Sequence, residues 1–233
     1  MIRLDKFLCE MEVGTRSQVK EMVKKGQVSV NGEIIKKADH KFDEMTAKVC
    51  VKEREISYQR FYYYMLNKPA GVVSAVTDNH DRTVLDLLKD ASGKDLFPVG
   101  RLDKDTEGLL LITNDGELSH NLLSPKKHVD KTYLVKTDQT VTTDMIAALE
   151  QGVDIGEEKL TLPAKVKQLE EKKIELIITE GKFHQVKRML KAVGNEVVYL
   201  KRLSMGSLML DEELELGEYR PLTEKEVDDL KKR

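Results

Sequence analysis

Between residues 4 and 11 the apolar positions Leu4, Phe7, Leu8 and Met11 recur at helical spacing, which predicts a helix with one buried stripe. A second helix opens with Thr15 or Ser17 as its N-cap, turns Val19, Met22 and Val23 inward and stops at Gly26. On another of its faces Arg16, Lys20 and Lys24 form a basic row at four-residue spacing. From Val28 to Ile35 the pattern changes to alternation about Asn31-Gly32, a two-residue hairpin signal. Residues 52–60 are polar and lack periodicity, so a boundary is expected there, giving domains 1–58 and 59–233.

Beyond that boundary Phe61 to Leu66 is aromatic and strand-prone, then halts at Asn67-Lys68-Pro69-Ala70-Gly71, where Pro69 and Gly71 fix a turn. Leu109 to Ile112 is a short, wholly apolar run bounded by turn residues, the signature of a buried strand. A short helix is expected over Ser119 to Leu123, a strand over His128 to Val135, and an α/β insertion with a hairpin over residues 141–173. Ile174 to Thr179 reads as another buried strand. After Glu180-Gly181 a helix turns Val186, Met189, Leu190 and Val193 inward and ends at Gly194. Lys182, Lys187 and Lys191 lie off that stripe.

Composition narrows the class. With 233 residues, 40% hydrophobic and 34% charged, the chain fits a soluble globular protein of one large domain or two smaller ones. No run is long and apolar enough to span a bilayer, and the start of the chain lacks the apolar core of a signal peptide, so a cytoplasmic location is expected and no membrane partner. Cys9 and Cys50 read as small apolar packing residues rather than a disulfide. The five His and two Cys show no metal-ligand spacing, and no Gly-rich phosphate loop is present. A net charge of −2 hides an uneven distribution. Residues 181–202 carry Lys182, Lys187, Arg188, Lys191, Lys201 and Arg202 against the single acid Glu196, whereas residues 211–233 carry nine acids against five bases. The basic centre could meet phosphates; the acidic tail suggests only solubility or packing.

The segment from Gly100 to Gly116 concentrates the candidate chemistry, with four acids and three glycines around the Leu109–Ile112 run. An Asp ahead of a strand is ordinarily a turn former that bonds its own backbone. The order Gly-Arg-Leu-Asp, then Asp-Thr-Glu-Gly-Leu-Leu, however, resembles the signature of the RNA pseudouridine synthases. Lys-Pro-Ala-Gly-Val-Val-Ser from Lys68, Lys-Thr-Tyr from Lys131 and Glu-Gly-Lys-Phe-His-Gln-Val-Lys-Arg-Met-Leu from Glu180 are similar to further motifs of that family, in the same order. The start of the chain, Arg-Leu-Asp-Lys-Phe-Leu, Thr-Arg-Ser-Gln-Val-Lys and Gly-Gln-Val-Ser-Val-Asn-Gly, resembles the S4 RNA-binding module.

The resemblance implies a fold, a reaction and a set of residues. The fold would be α+β: a small N-terminal α/β S4-like domain, then a catalytic domain on a mixed, largely antiparallel sheet. The enzyme would be an isomerase needing neither cofactor nor metal. Asp103 would be the nucleophile, Tyr133 the ring that stacks on the target base, and Lys187 the cation that keeps Asp103 ionised where water is excluded, with Arg188 as the alternative cation. Lys68 would serve an architectural turn and not catalysis; Lys104, Asp105 and Glu107 would solvate the loop, and His184 would pack or touch RNA. Arg101, Arg3, Arg16, Lys20, Lys24, Lys182 and Arg188 are expected RNA contacts. Within the family, the chain is most similar to the branch that modifies 16S rRNA of the small subunit at a site of the uridine-516 type, with a 23S rRNA enzyme of the same branch, or a protein that binds rRNA without modifying it, as the alternatives. The partner would be ribosomal RNA or a small-subunit assembly intermediate, and the protein a monomer.

Overall fold

A computed structural model describes residues 1–232. The chain forms two compact units, one of residues 1–62 with 92–95, the other of residues 63–91 with 96–232. The division after Tyr62 falls a few residues beyond the 58/59 boundary read from the sequence, and the return of residues 92–95 to the first unit carried no sequence signal.

In the first unit the helices Leu4–Glu10 and Arg16–Lys24 carry the stripes their spacing predicts, with Leu4, Phe7, Leu8, Val19 and Val23 buried. Thr15 caps the second helix in a full capping box with Gln18, which satisfies donors a helix start otherwise leaves open. The helices cover an antiparallel sheet in the order Glu33–Ile34, Val28–Val30, Val49–Val51, Arg54–Ile56. Its hairpin turns at Asn31 and Gly32, both at positive φ, as a two-residue turn of this handedness requires. Phe7 meets Phe42 edge-on at 5.2 Å within this core. Cys9 and Cys50 are half-buried free thiols.

The second unit is built on a nine-stranded sheet. Its main path runs Lys165–Glu170, Lys173–Ile178, Lys131–Thr137, Val197–Met205, Glu107–Thr113, Tyr63–Lys68, Tyr219–Pro221. Among the described residues every strand pairing in this sheet is antiparallel except one. Val197–Met205 runs parallel to Glu107–Thr113 through Lys201 opposite Glu107 and Arg202 opposite Gly108. The fold is therefore α+β with a mixed, largely antiparallel sheet. Leu109 to Ile112 are wholly buried at its centre, and Leu109 and Leu111 share a core with Met65, Leu118, Leu122 and Met205.

Element limits differ from the sequence reading where caps decide them. The strand placed at Phe61 to Leu66 is Tyr63–Lys68 and continues into a buried lysine. The helix placed at Ser119 spans Gly116–Leu123, because the Asp115 side chain accepts the Leu118 N–H at 3.0 Å and starts it earlier. The strand placed from His128 is Lys131–Thr137, since Pro125–Lys127 forms a tight turn ending at His128 in the left-handed region. The acidic tail packs rather than trailing. Tyr219–Pro221 pairs with Tyr63–Lys68, Arg220 bridges Asp211 at 2.6 Å and Glu226 at 2.9 Å, and Leu230 is buried.

Candidate active site

Asp103 sits in the loop that feeds the central strand Glu107–Thr113, and the loop is fastened from behind. Leu102 is buried and exchanges hydrogen bonds with the Ser74 hydroxyl, its N–H donating at 3.0 Å and its carbonyl accepting at 2.9 Å. Lys68, fully buried at the end of its strand, directs its ammonium at four backbone carbonyls: Pro69 at 3.0 Å, Asp103 at 3.1 Å, Lys104 at 3.3 Å and Thr106 at 2.8 Å. Gly71 N–H adds a bond to the Lys104 carbonyl at 2.7 Å. Burial pushes the Lys68 ammonium down to about 8, against the pull of Asp105, Asp103 and Glu107. The Lys-Pro-Ala-Gly turn is architectural, as read from the sequence, and Lys68 is its working part: a positioning residue for the Asp103 loop.

With the backbone held, the half-buried Asp103 carboxylate faces Lys187, whose Nζ lies 3.1 Å from one oxygen, while the other oxygen lies 3.6 Å from His184 Nε2. Lys187 extends from the helix Gln185–Ala192, whose inner face buries Val186, Met189 and Leu190. The same ammonium meets the Asp105 carboxylate at 2.5 Å. Asp105 is thus more than loop solvation: although exposed, it shares the cation. Burial alone would lower the Lys187 pKa, but hydrogen bonds to Asp105 and Asp103 outweigh it and raise it. The bond to Lys187 in turn lowers Asp105 despite its partial desolvation. Glu107 likewise departs from the solvation reading, accepting the Tyr199 hydroxyl at 2.8 Å.

Tyr133 faces the same cleft from the strand Lys131–Thr137, with only 8% of its surface exposed. The strand's register against Val197–Met205 shifts between Thr132 and Tyr133. Such a bulge re-aims a side chain, and here it lies at the tyrosine that faces Asp103. The cleft encloses about 540 Å³ and is lined by Arg101, Asp103, Tyr133, Lys182 and His184 among others. Two further cations underlie it. Lys131, 6% exposed, donates to the Val129 carbonyl at 3.1 Å, and burial followed by the charge of Arg202 lowers its pKa. Arg202, 2% exposed, donates from Nε to the Leu109 carbonyl at 2.7 Å and leaves Nη2 without a protein partner.

The structure thus gathers Asp103, Tyr133, Arg101 and Lys182 at one cleft, with Lys187 paired to Asp103. Arg188 is not with them. Its guanidinium turns to Glu157 at 2.8 Å and to the carbonyls of Phe183 and Ile155, so it braces the loop ahead of its own helix and does not pair with Asp103. Lys182 lines the cleft, and its ammonium lies 3.6 Å from Glu180 and donates to the Lys159 carbonyl at 3.5 Å. In the first unit, Arg3, Arg16 and Lys20 line one groove together with Lys94, which the sequence reading missed because it lies far along the chain. Arg3 is tied to Asp5 by two bonds of 3.0 and 2.7 Å, while Lys24 is exposed outside that groove. Among the described residues no group of three or more His, Cys, Asp or Glu is arranged to hold a metal ion.

Known proteins give this geometry a context. Residues 62–192 match the RNA pseudouridylate synthase family and residues 2–47 match the S4 domain. The chain is 50% identical over 231 residues to an uncharacterised RNA pseudouridine synthase of Bacillus subtilis, covering 97% of each. It is 44% identical over 227 residues to ribosomal small subunit pseudouridine synthase A of Vibrio cholerae, covering 97% of this chain and 98% of that one. A crystal structure of a pseudouridylate synthase superposes with a TM-score of 0.70 at 40% identity, over 99% of this chain and all of the other. The chain belongs to the RNA pseudouridine synthases, isomerases of RNA uridine, and carries the S4 domain at its N-terminus.

Proposed function

We propose that this protein converts one uridine of 16S rRNA to pseudouridine, at a site of the uridine-516 type, with Asp103 as the nucleophile. The observation that carries the reading is the Asp103 carboxylate, held beside Lys187 at 3.1 Å in a cleft whose other wall is Tyr133. Relatives named as small-subunit synthases at 41–44% identity favour 16S over 23S rRNA.

Pseudouridylation loses no group and changes no oxidation state. The N1–C1′ bond breaks, uracil turns, and C5 bonds to C1′ while a proton leaves C5 and N1 gains one. Asp103 opens the sequence by attacking either C1′ of the ribose or C6 of the base, and departs with its electron pair when the new arrangement closes. Lys187 favours the charged carboxylate where the bound RNA excludes water. Tyr133 stacks on the extruded uracil and stands where it can assist removal of the C5 proton. Arg101 meets the backbone phosphate or fills the place of the flipped nucleotide. The N-terminal unit, with residues 1–58 as its functional extent, adds phosphate contacts through Arg3, Arg16, Lys20 and Lys24. The protein acts as a monomer on ribosomal RNA or a small-subunit assembly intermediate, which would place it in the cytoplasm.

The test is tritium release from 5-tritiated uridine in 16S and 23S transcripts, with Asp103→Asn as the control. Release from 16S alone, lost in the variant, is expected. Release from 23S alone would transfer the reading to the large subunit, and undiminished release by Asp103→Asn would remove Asp103 from the nucleophilic role.

A further inference from the structure

The cleft has an aromatic feature that the reaction as derived does not use. Phe183 and His184 stack on one another with ring centroids 3.8 Å apart and planes inclined by 18°. Both line the cleft beside Asp103, yet 71% of Phe183 is exposed.

The backbone beneath the pair is fixed at several points. His184 lies at φ +46, a left-handed conformation that disfavours a residue with a Cβ and persists only where its surroundings impose it. Arg188 Nη1 donates to the Phe183 carbonyl at 3.1 Å while its other bonds anchor it to Glu157 and Ile155. Gln185 accepts the Lys182 N–H at 2.8 Å and donates to Glu180 at 2.7 Å, closing the loop from its other end. A strained residue and a buttressed loop therefore hold an apolar ring out at the rim of a charged cleft. Such outliers gather where a ligand is gripped.

We infer that the Phe183–His184 stack is a platform for an unpaired nucleobase next to the target uridine, an RNA subsite distinct from the Tyr133 wall; this rests on the pseudouridylation reading above. Extruding one nucleotide breaks the stacking of its neighbours and leaves a bare π-face, the surface a protein aromatic ring can replace. The cleft, at about 540 Å³, is several times larger than one pyrimidine ring, so a second nucleotide has room at its mouth. Lys182 and Arg101 stand on the same rim, where they can meet the phosphates on either side of that base. The sequence marked Phe183 only as part of a motif, because its role depends on the left-handed turn at its neighbour.

The decisive measurement is a double-mutant cycle in binding. Wild type and Phe183→Ala are titrated with a 16S rRNA fragment that contains the modified uridine, and with versions carrying an abasic site at its 5′ or its 3′ neighbour. On intact RNA, Phe183→Ala should weaken Kd by roughly five- to a hundredfold, the range of one base–aromatic stack. Phe183→Trp should restore it, and Phe183→Leu should fall between. With one of the two abasic fragments the Ala substitution should cost nothing further, since the partner of the ring is already gone. An unchanged Kd on intact RNA, or losses that multiply with both abasic sites, would overturn the platform. Tritium release by wild type on the intact fragment separates the two readings: release with multiplying losses removes only the platform, whereas no release removes the function on which it stands.

Discussion

The Lys68 ammonium lies 3.1 Å from the backbone carbonyl of Asp103, so Asp103 is fixed through its main chain while its carboxylate stays free to face the cleft. One buried cation at the close of a strand thereby sets the position of the Asp103 carboxylate without touching it.

Lys68→Met leaves the carbonyls of Pro69, Asp103, Lys104 and Thr106 without that donor. Unmet buried carbonyls cost about 1–3 kcal/mol each, and the loop can recover some through water, so a loss of about 2–4 kcal/mol is expected in urea unfolding. Tritium release should fall more than tenfold. The pH dependence follows from the sign of the shift. Folding lowers the Lys68 pKa from 10.5 to about 8, so the unfolded chain holds more protons between those values. The wild type should therefore gain stability, of order 3 kcal/mol at most, as pH rises from about 8 to 10.5. The Met variant should lack that rise; an identical pH curve would remove Lys68 as its source.

Lys187→Met leaves Asp103 and Asp105 facing each other without a cation. Breaking a fully buried pair costs about 3–5 kcal/mol, but these side chains keep some access to water, and about 1–3 kcal/mol is expected, read as a ten- to hundredfold fall in tritium release. Asp105→Asn should cost much less, because Lys187 then serves Asp103 alone. Equal losses from the two variants would mean that the whole cluster, and not the Asp103 pair, matters.

Arg16→Ala and Lys20→Ala should each weaken binding to any rRNA fragment about equally and reduce the slope of log K against log salt by about 1. Removal of residues 1–58 should flatten that slope further while leaving any tritium release at saturating RNA. An unchanged slope would take the groove of Arg3, Arg16 and Lys20 out of the RNA interface.

Arg220→Met tests the tail. The hydrogen bond from Arg220 holds Glu226 down to about 2 from an ordinary 4.5. That stability is fully present above about 4.5 and disappears as pH falls towards 2, amounting to roughly 1–2 kcal/mol for this half-buried, partly screened pair. Wild type should lose stability across that window in acid titration followed by circular dichroism, and the variant should start lower and show a shallower limb.

Much of this was readable beforehand. The stripes Leu4–Phe7–Leu8 and Val186–Met189–Leu190, the Asn31-Gly32 turn and the Leu109–Ile112 strand each follow from local periodicity or turn chemistry, which act over a few residues. Asp103, Tyr133 and Lys187 were legible through motif order; the structure brings Asp103 and Tyr133 to one cleft and pairs Lys187 with Asp103. What escaped depends on distance along the chain. Nothing near Lys68 announces that its ammonium meets carbonyls 35 and 38 residues on, at Asp103 and Thr106, and a lysine after a strand ordinarily lies in water. The partners of Arg188 are hidden from the sequence for a related reason. Helical spacing places it beside Lys187, but Glu157 and the Ile155 carbonyl, from a distant segment, draw it away.

Gly108 closes the account of how the two walls of the cleft come together. The loop of Asp103 leads into Glu107–Thr113, whereas Tyr133 and Lys187 belong to the strands and helix on the other side of Val197–Met205, and the two parts of the sheet join through a short parallel register at Lys201 and Arg202. At φ +99, a Cβ on residue 108 would stand 2.3 Å from the Arg202 carbonyl. Any side chain there would act as a spacer driven into a mortise, prising the Asp103 loop from the Tyr133 strand while leaving each strand intact. The width of the cleft between them is therefore gauged by the one residue at that joint that has nothing to reach with.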